Sequence, residues 1–164
     1  MKVDHAFVEP ASGTIKKVSR SELIDLLNQD LSGEYQAIIA YVVYSQVLKG
    51  AEFMNIASEL LKHAAQELNH AIMVAKQIDY LGCMPTVELE FVKTSEQASL
   101  KLQFDLDNET ETTRNYRERV RQCEELMEYA MGEQIRGISI AKQDHQIALA
   151  NALGKNVPAQ HAAN

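Results

Sequence analysis

The sequence predicts an all-α protein, an antiparallel four-helix bundle in which a crossover joins two helical hairpins. The chain of 164 residues has only three prolines, and their positions leave two long tracts that no proline interrupts. Within both tracts apolar residues recur at alternating steps of three and four, which is the spacing of one helix face. A segment without this spacing lies between the tracts. Two pairs of long amphipathic helices joined in this way pack as a bundle.

The first tract predicts a pair of long helices. Ser21 is a suitable N-cap for the first helix, and Gly50 is suitable as its end. The second helix is predicted from about residue 51 to residue 81, where Gly82 and Pro85 provide stop signals. These boundaries give two helices of similar length, as a hairpin requires.

The second tract predicts another pair of helices after a non-helical crossover at 84–93. Thr94 or Ser95 can cap the third helix, and Gly154 ends the fourth. The turn between these helices has no glycine or proline and is predicted somewhere between residues 121 and 128. The predicted organisation is an N-terminal arm at 1–20, one bundle domain at 21–154 and a C-terminal tail at 155–164.

Composition restricts the partners and the location. The formal net charge of -7 argues against a nucleic-acid partner, because phosphate binding requires clustered Lys and Arg. No run approaches the roughly 18 apolar residues that span a bilayer, and the N-terminus lacks the apolar core of a signal peptide. Cys83 and Cys123 have no CxxC spacing and are expected to be free thiols. We expect a cytoplasmic protein without a membrane or nucleic-acid partner.

The two hairpins repeat one template. A shift of 75 positions carries Glu34 onto Glu109 and His70 onto His145. Both glutamates occupy seam positions that otherwise hold apolar residues. An ionised carboxylate that is buried without a partner costs several kcal/mol, so these groups are expected to meet a cation or a metal.

The second helix adds Glu67, which lies three residues before His70 and on the same side of one turn. Such a pair alone is weak evidence, but two seam glutamates and two histidines near one level favour a metal site over a buried hydrogen-bond network. Carboxylate and imidazole suit iron, with manganese or zinc as alternatives, although the lack of thiolate disfavours structural zinc. The predicted metal ligands are Glu34, Glu67, His70, Glu109 and His145.

Three runs of the sequence resemble the ferritin-like superfamily, and its bacterioferritin branch most closely. They are ELNHA at 67–71, DLDNE at 105–109 and RNYRE at 114–118, and the similarity extends over roughly residues 21–154. The resemblance implies a ferritin-like bundle with a ferroxidase centre that oxidises Fe(II) with dioxygen or peroxide. It also implies that Fe(III) is stored as a mineral inside a hollow shell.

The resemblance assigns a role to each predicted ligand. Glu34 would bind one metal, Glu67 and Glu109 would bridge, and His70 and His145 would each cap one metal. Tyr41 stands at the family's tyrosine near the centre, where it would hydrogen-bond a bridging glutamate or donate an electron. The alternative for Tyr41, and equally for its repeat partner Tyr116, is a core aromatic residue.

Three features depart from the family. Leu68 stands where bacterioferritins carry the haem-ligating methionine, so no haem is expected. The residues after the fourth helix are too few for the short fifth helix of the large shells. Lys142 stands where both the repeat and the family require glutamate.

Lys142 has two interpretations. It lies one helical turn before His145 on the same face, so its ammonium could stand in for one metal ion. Three glutamates and this lysine sum to a charge of -2, which one divalent ion would balance. In the alternative, the flexible lysine stem extends out of the bundle and leaves a two-metal site with water in the missing place. We favour the first interpretation, which gives a partially occupied site.

Two other functions fit the same residues. A small di-iron or di-manganese oxidoreductase, for instance one that dismutates peroxide like the manganese catalases, uses a similar set of glutamates and histidines. A degenerate bundle, in which the lysine has ended the metal chemistry, is the structural alternative.

Apolar residues outside the seams predict a homo-oligomer. Ile39, Val42 and Val43 fall on the outside of the first helix. A face of this kind is typical of a partner interface, and two-fold dimers are the commonest assembly. The resemblance extends this expectation from two-fold dimers to a hollow shell.

Overall fold

The structure is a computed structural model that describes residues 17–159. It contains four α-helices: α1 (Arg20–Val47), α2 (Met54–Tyr80), α3 (Ala98–Glu125) and α4 (Tyr129–Ala152). A 3-10 turn, Ala51–Phe53, precedes α2. No strand occurs between residues 17 and 159, and the predicted all-α four-helix bundle is confirmed. No helix in this range is long and apolar enough to cross a membrane.

The predicted terminal segments fall largely beyond these limits. Of the predicted arm at 1–20, residues 1–16 lie outside the described residues. Of the predicted tail at 155–164, residues 160–164 lie outside them as well. Both segments therefore stay predictions.

Ser19 caps α1, and the predicted cap at Ser21 is wrong. The Ser19 hydroxyl accepts a hydrogen bond from the Glu22 backbone N–H at 3.1 Å. In return, the Glu22 carboxylate accepts one from the Ser19 backbone N–H at 2.8 Å. This reciprocal pair is a capping box, which satisfies two donors at once, and Ser21 lies inside the first turn.

The other helix ends follow simple signals. α3 begins after Gln97, later than either predicted cap, and the Ser95 hydroxyl accepts from the Gln97 backbone N–H at 3.1 Å. The turn between α3 and α4 occupies 126–128, inside the predicted interval. Gly82 and Gly154 follow α2 and α4 with positive φ angles of 86° and 64°, as the stop signals predicted.

The helices pair as two hairpins. α1 packs along α2 and α3 packs along α4, and the crossover at 81–97 connects the two pairs. The hairpins meet where α1 packs against α3 and α2 against α4. Each helix therefore has two helical neighbours, and its inward seam faces the middle of the bundle.

Two apolar clusters fill the bundle on either side of its middle. One includes Leu23, Leu27, Leu31, Val74, Ile78, Val120, Met131 and Ile135. The other includes Ala40, Tyr44, Leu60, Ala64, Leu102, Leu106 and Leu149. Every helix contributes to both clusters, and on every helix a short interval separates the two contributions. These four intervals meet at one level, between the clusters.

Asp30 on α1 and Arg119 on α3 form a buried ion pair that joins the hairpins. Arg119 donates from Nε to Asp30 Oδ2 at 2.7 Å and from Nη2 to Oδ1 at 3.4 Å. Gln122 Oε1 accepts from Arg119 Nη1 at 3.0 Å. Asp30 is 6% exposed and Arg119 is 5% exposed, so water cannot solvate either charge well if its partner is removed.

We expect Arg119→Met to lower the free energy of unfolding by about 3–5 kcal/mol, because it leaves the Asp30 carboxylate buried without its cation. Arg136→Met is the control, since its ion pair with Glu124 is exposed and should contribute less than about 1 kcal/mol. Urea unfolding followed by circular dichroism measures both losses. The double variant Asp30→Leu/Arg119→Met should recover stability relative to Arg119→Met. Equal losses in the two single variants would contradict the importance of the buried pair.

Candidate metal centre

A layer of polar side chains crosses the bundle between the two apolar clusters. Its members are Glu34 from α1, Glu67 and His70 from α2, Glu109 from α3, and Lys142 and His145 from α4. Each is at most 7% exposed. Their side chains point inward because they occupy positions of the apolar seam, whose spacing of three and four turns one face of each helix inward. The structure therefore brings together all five residues predicted as ligands, with Lys142 among them.

The acids and imidazoles form two groups that share Glu67. One group is Glu34, Glu67 and His70, and the other is Glu67, Glu109 and His145. Within each group, one potential ligand atom from every residue lies within 4.8 Å of the others. The resemblance assigned a bridging role to both Glu67 and Glu109; in this geometry Glu67 belongs to both groups and Glu109 to one.

Each oxygen of the Glu67 carboxylate faces a different imidazole. Glu67 Oε2 lies 2.9 Å from His70 Nδ1, and Glu67 Oε1 lies 2.9 Å from His145 Nδ1. His70 Nδ1 is also 3.6 Å from Glu34 Oε2, and His145 Nδ1 is 3.5 Å from Glu109 Oε1. The two histidines thus face their glutamates through the same ring atom.

Lys142 points into the layer and not out to solvent. Its Nζ lies 2.6 Å from Glu67 Oε2, 3.1 Å from Glu34 Oε2 and 3.8 Å from Glu109 Oε1. Only 1% of the residue is exposed. Of the two interpretations of Lys142, the inward ammonium agrees with this geometry and the outward stem does not.

Two buried tyrosines hold the terminal glutamates. Tyr116 donates a hydrogen bond to Glu34 Oε1 at 2.7 Å, and Tyr41 donates one to Glu109 Oε1. Burial and nearby carboxylates raise the pKa of both hydroxyls well above the ordinary value, so both stay protonated donors. Tyr41 therefore makes the hydrogen bond to a site glutamate that was one of its expected roles, and Tyr116 does the same in the other half.

Several buried donor atoms in the layer have no hydrogen-bond partner among residues 17–159. They are Glu34 Oε2, Glu67 Oε1, Glu109 Oε2 and His145 Nδ1. The contacts of Glu34 Oε2 with Lys142 Nζ at 3.1 Å and of Glu67 Oε1 with His145 Nδ1 at 2.9 Å are ion pairs without hydrogen-bond geometry. Buried polar atoms are normally satisfied, and leaving them without partners costs free energy. Hard carboxylate oxygens and imidazole nitrogens are the donors that iron and manganese accept. The residues present therefore fit a metal ion.

The charges of the layer are strongly coupled. Burial raises the pKa of Glu34 to about 7, and repulsion from Glu67 adds to this effect. Burial also opposes ionisation of Glu67, but the Lys142 ammonium outweighs it and holds the pKa of Glu67 well below its usual range. Burial disfavours the charged form of His145, yet Glu109 and Glu67 raise the pKa of that imidazole to about 9. Metal binding by these groups would release protons, since a ligand must be deprotonated.

His63 and Gln66 also lie beside the centre, and neither was among the predicted site residues. The position of His63 next to Lys62 predicts a surface histidine, but His63 is 5% exposed and its ring stacks on that of His145 with centroids 3.9 Å apart. Gln66 Oε1 lies 2.7 Å from His145 Nε2. A neutral His145 with its proton on Nε2 donates a hydrogen bond to Gln66, and its unprotonated Nδ1 then faces the glutamates. The spacing of His63, Glu67 and His70 by four and three was a signal that the histidine faces inward.

A surface cleft lies beside the centre, between α2 and α4. It is lined by Glu59, Lys62, His63, Gln66, Asp144 and His145, among others. His145 therefore belongs both to the buried layer and to the wall of this cleft.

The chain matches known proteins over most of its length. The family model for the ferritin-like domain matches residues 24–157. Among solved structures, the chain is similar to a ferritin-like diiron-carboxylate protein from Bacillus anthracis strain Ames, with 28% sequence identity and a TM-score of 0.78. The alignment covers 82% of this chain and 96% of that chain.

We expect Tyr41→Phe to weaken metal binding by about tenfold, the scale on which groups that orient ligands affect affinity. The variant removes the hydrogen bond to Glu109 without changing the shape of the core. Tyr44→Phe is the matched control, because its hydroxyl donates to the backbone carbonyl of Lys93 outside the layer. Anaerobic titration with Fe(II) measures both affinities. An equal affinity in the two variants would show that Tyr41 does not support the centre.

Proposed function

The chain belongs to the ferritin-like domain family, and from this premise we propose that it binds iron at the buried centre and oxidises Fe(II), which stores or detoxifies the metal. The membership follows from the family match over residues 24–157, and it confirms the resemblance predicted from the sequence. The bacterioferritin-like activity is the part that goes beyond the family.

One observation carries the proposal, namely the carboxylate of Glu67 placed between two imidazoles, each with a second glutamate beside it. Three acids at one level are costly to bury, and a cation is the general way to offset that cost. The similar protein from Bacillus anthracis is named a diiron-carboxylate protein, which supports iron as the metal.

The protein's own residues would hold and orient the metal. Glu34, Glu67, Glu109, His70 and His145 supply the donor atoms. Gln66 orients His145, and the two buried tyrosines each donate a hydrogen bond to one carboxylate oxygen, Tyr41 to Glu109 and Tyr116 to Glu34. Bound iron supplies the redox chemistry, since each Fe(II) gives one electron to dioxygen or peroxide. Haem is not part of the proposal, because the hydrocarbon side chain of Leu68 has no donor atom.

We place this activity in the cytoplasm and without a nucleic-acid partner. Cys83 and Cys123 are free thiols, which supports a reducing compartment. A formal net charge of -7 favours cations over phosphate groups as ligands.

We also propose that the protein is a homo-oligomer built on two-fold dimers. Large apolar residues that are 39–85% exposed lie on α1, on α2 and on the crossover: Ile39, Val42, Val43, Val47, Leu61, Leu68, Ile72, Val87, Leu89 and Phe91. The crossover lies beside α1, since Ser32 donates to the carbonyl of Glu88 at 3.0 Å. The crossover thus adds to the apolar side of the first hairpin, and a second copy related by a two-fold axis would cover exposed residues there.

We expect Glu67→Gln to weaken Fe(II) binding by at least about tenfold, because loss of a group that only hydrogen-bonds to a metal ligand already lowers the affinity by about that factor. Asp79→Asn is the matched control on the same helix, since Asp79 is exposed and lies outside the cleft beside the centre. Anaerobic calorimetry gives the affinities, and the absorbance of Fe(III) gives the oxidation rate after dioxygen or peroxide is added. Wild type that takes up no Fe(II), or a Glu67→Gln variant that binds like wild type, would refute the proposal.

The same experiment separates iron chemistry from the enzymatic alternative. A peroxide-dismutating oxidoreductase should evolve dioxygen from peroxide when loaded with Mn(II), and an iron-oxidising protein should not. The iron content of the oxidised protein then distinguishes storage from oxidation alone, because storage requires many ions per chain.

Light scattering at micromolar concentration should give the mass of a dimer or a larger assembly. Leu68→Lys and Val43→Lys place charges on the apolar side and should shift the mass toward the monomer, since a buried unpaired charge opposes association. Ile140→Lys, at an exposed apolar residue on α4 and outside the first hairpin, serves as the matched control. A wild-type monomer would contradict the proposed assembly.

A further inference from the structure

The repeat that relates the two hairpins also relates the two halves of the centre. A shift of 75 positions carries the trio Glu34, Glu67 and His70 onto the trio Glu109, Lys142 and His145. The same shift relates the tyrosines, since Tyr116 holds Glu34 and Tyr41 holds Glu109. The layer is therefore symmetric at every pair but one. At that pair a carboxylate, Glu67, is matched by an ammonium, Lys142.

The ammonium of Lys142 does not lie midway between the halves. Its two shortest distances are to Glu67 Oε2 at 2.6 Å and to Glu34 Oε2 at 3.1 Å. These are the two oxygens that face His70 Nδ1, at 2.9 Å and 3.6 Å. A positive charge thus already occupies the space among the donors of the Glu34 half. A divalent ion there would meet the repulsion of the ammonium at contact distance.

The other half keeps its donor atoms available. Glu109 Oε2 has no hydrogen-bond partner among the described residues, and Glu67 Oε1 and His145 Nδ1 contact each other at 2.9 Å without hydrogen-bond geometry. The three residues are at most 2% exposed. The ammonium is farther from this half, at 3.8 Å from Glu109 Oε1. His145 is also the imidazole that Gln66 orients and that the surface cleft reaches.

The charge of the layer suits one divalent ion. Glu34, Glu67 and Glu109 carry three negative charges when ionised, and Lys142 carries one positive charge, so the sum is -2. One divalent ion makes the layer neutral, whereas two would leave an excess positive charge in a buried place. Such an excess is costly in a low-dielectric interior.

We infer, on the basis of the proposed metal-binding function, that Lys142 is a built-in cation that replaces one metal ion of the centre. The protein then binds a single divalent ion of the first transition row, between Glu67, Glu109 and His145. Glu34 pairs with the ammonium directly, His70 contacts the carboxylates of Glu34 and Glu67, and neither residue holds a metal.

Anaerobic titration with Mn(II), followed by electron paramagnetic resonance, tests this inference. Wild type should bind one ion per chain and give the signal of an isolated Mn(II). Lys142→Glu restores the carboxylate that the repeat requires, and it should bind two ions whose signals are altered by magnetic coupling. Lys76→Glu makes the same change of charge at an exposed position and should keep one isolated ion.

Two histidine variants identify the half that is occupied. His145→Ala should lower the affinity of the single ion by at least about tenfold, whereas His70→Ala should change it by less than about threefold. These measurements do not depend on the Lys142→Glu variant, so they decide the matter even if that variant fails to fold by circular dichroism.

The outcomes separate this inference from the proposed function. Two coupled ions in wild type would overturn the role of Lys142 and leave metal binding intact. One ion in both wild type and folded Lys142→Glu would also overturn it, as would a larger effect of His70→Ala than of His145→Ala. No bound ion in either wild type or Lys142→Glu would refute the proposed function itself.

Discussion

Three carboxylates buried at one level of a helical bundle are the constraint on which the rest of this structure depends. Glu34, Glu67 and Glu109 have almost no access to water, and repulsion from Glu67 adds to the cost of ionising Glu34. Two tyrosine hydroxyls, two imidazoles and the ammonium of Lys142 contact these carboxylates and offset that cost. The apolar clusters on either side keep water out, which strengthens every one of these interactions.

The internal repeat explains the arrangement, and its departures show where the two halves have become different. Asp30 pairs with the buried Arg119, but in the other half the same positions hold Asp105 and Tyr44. Asp105 therefore has no guanidinium beside it, and burial raises its pKa well above the usual range. Glu67 and Lys142 are a second pair of repeat-related positions at which the two halves differ in charge. The template is symmetric in shape, while its charges are distributed unequally between the halves.

The sequence predicted most of the fold and the composition of the site, because both depend on local periodicity. Steps of three and four place the apolar seam and the seam glutamates on one face, whichever helix comes to lie opposite. The features that were predicted wrongly depend on competition between nearby N-cap candidates or on contacts with residues far along the chain. Ser19 and not Ser21 caps α1, because only Ser19 has Glu22 three residues later to complete the capping box. His63 is buried because His145, from another helix, stacks on it.

By itself the sequence determined that four helices form, that two hairpins share a template, and that acids and imidazoles meet at one level. Tertiary structure alone decided which oxygen of Glu67 faces which imidazole, and that Glu109 belongs to one group only. It also decided that the Lys142 ammonium lies with Glu34 and Glu67 in the bundle and not at the surface. Helical periodicity fixes the direction of a Cα–Cβ bond, but a lysine has four further rotatable bonds. Where its charge comes to rest is therefore determined by the carboxylates that neighbouring helices bring within reach.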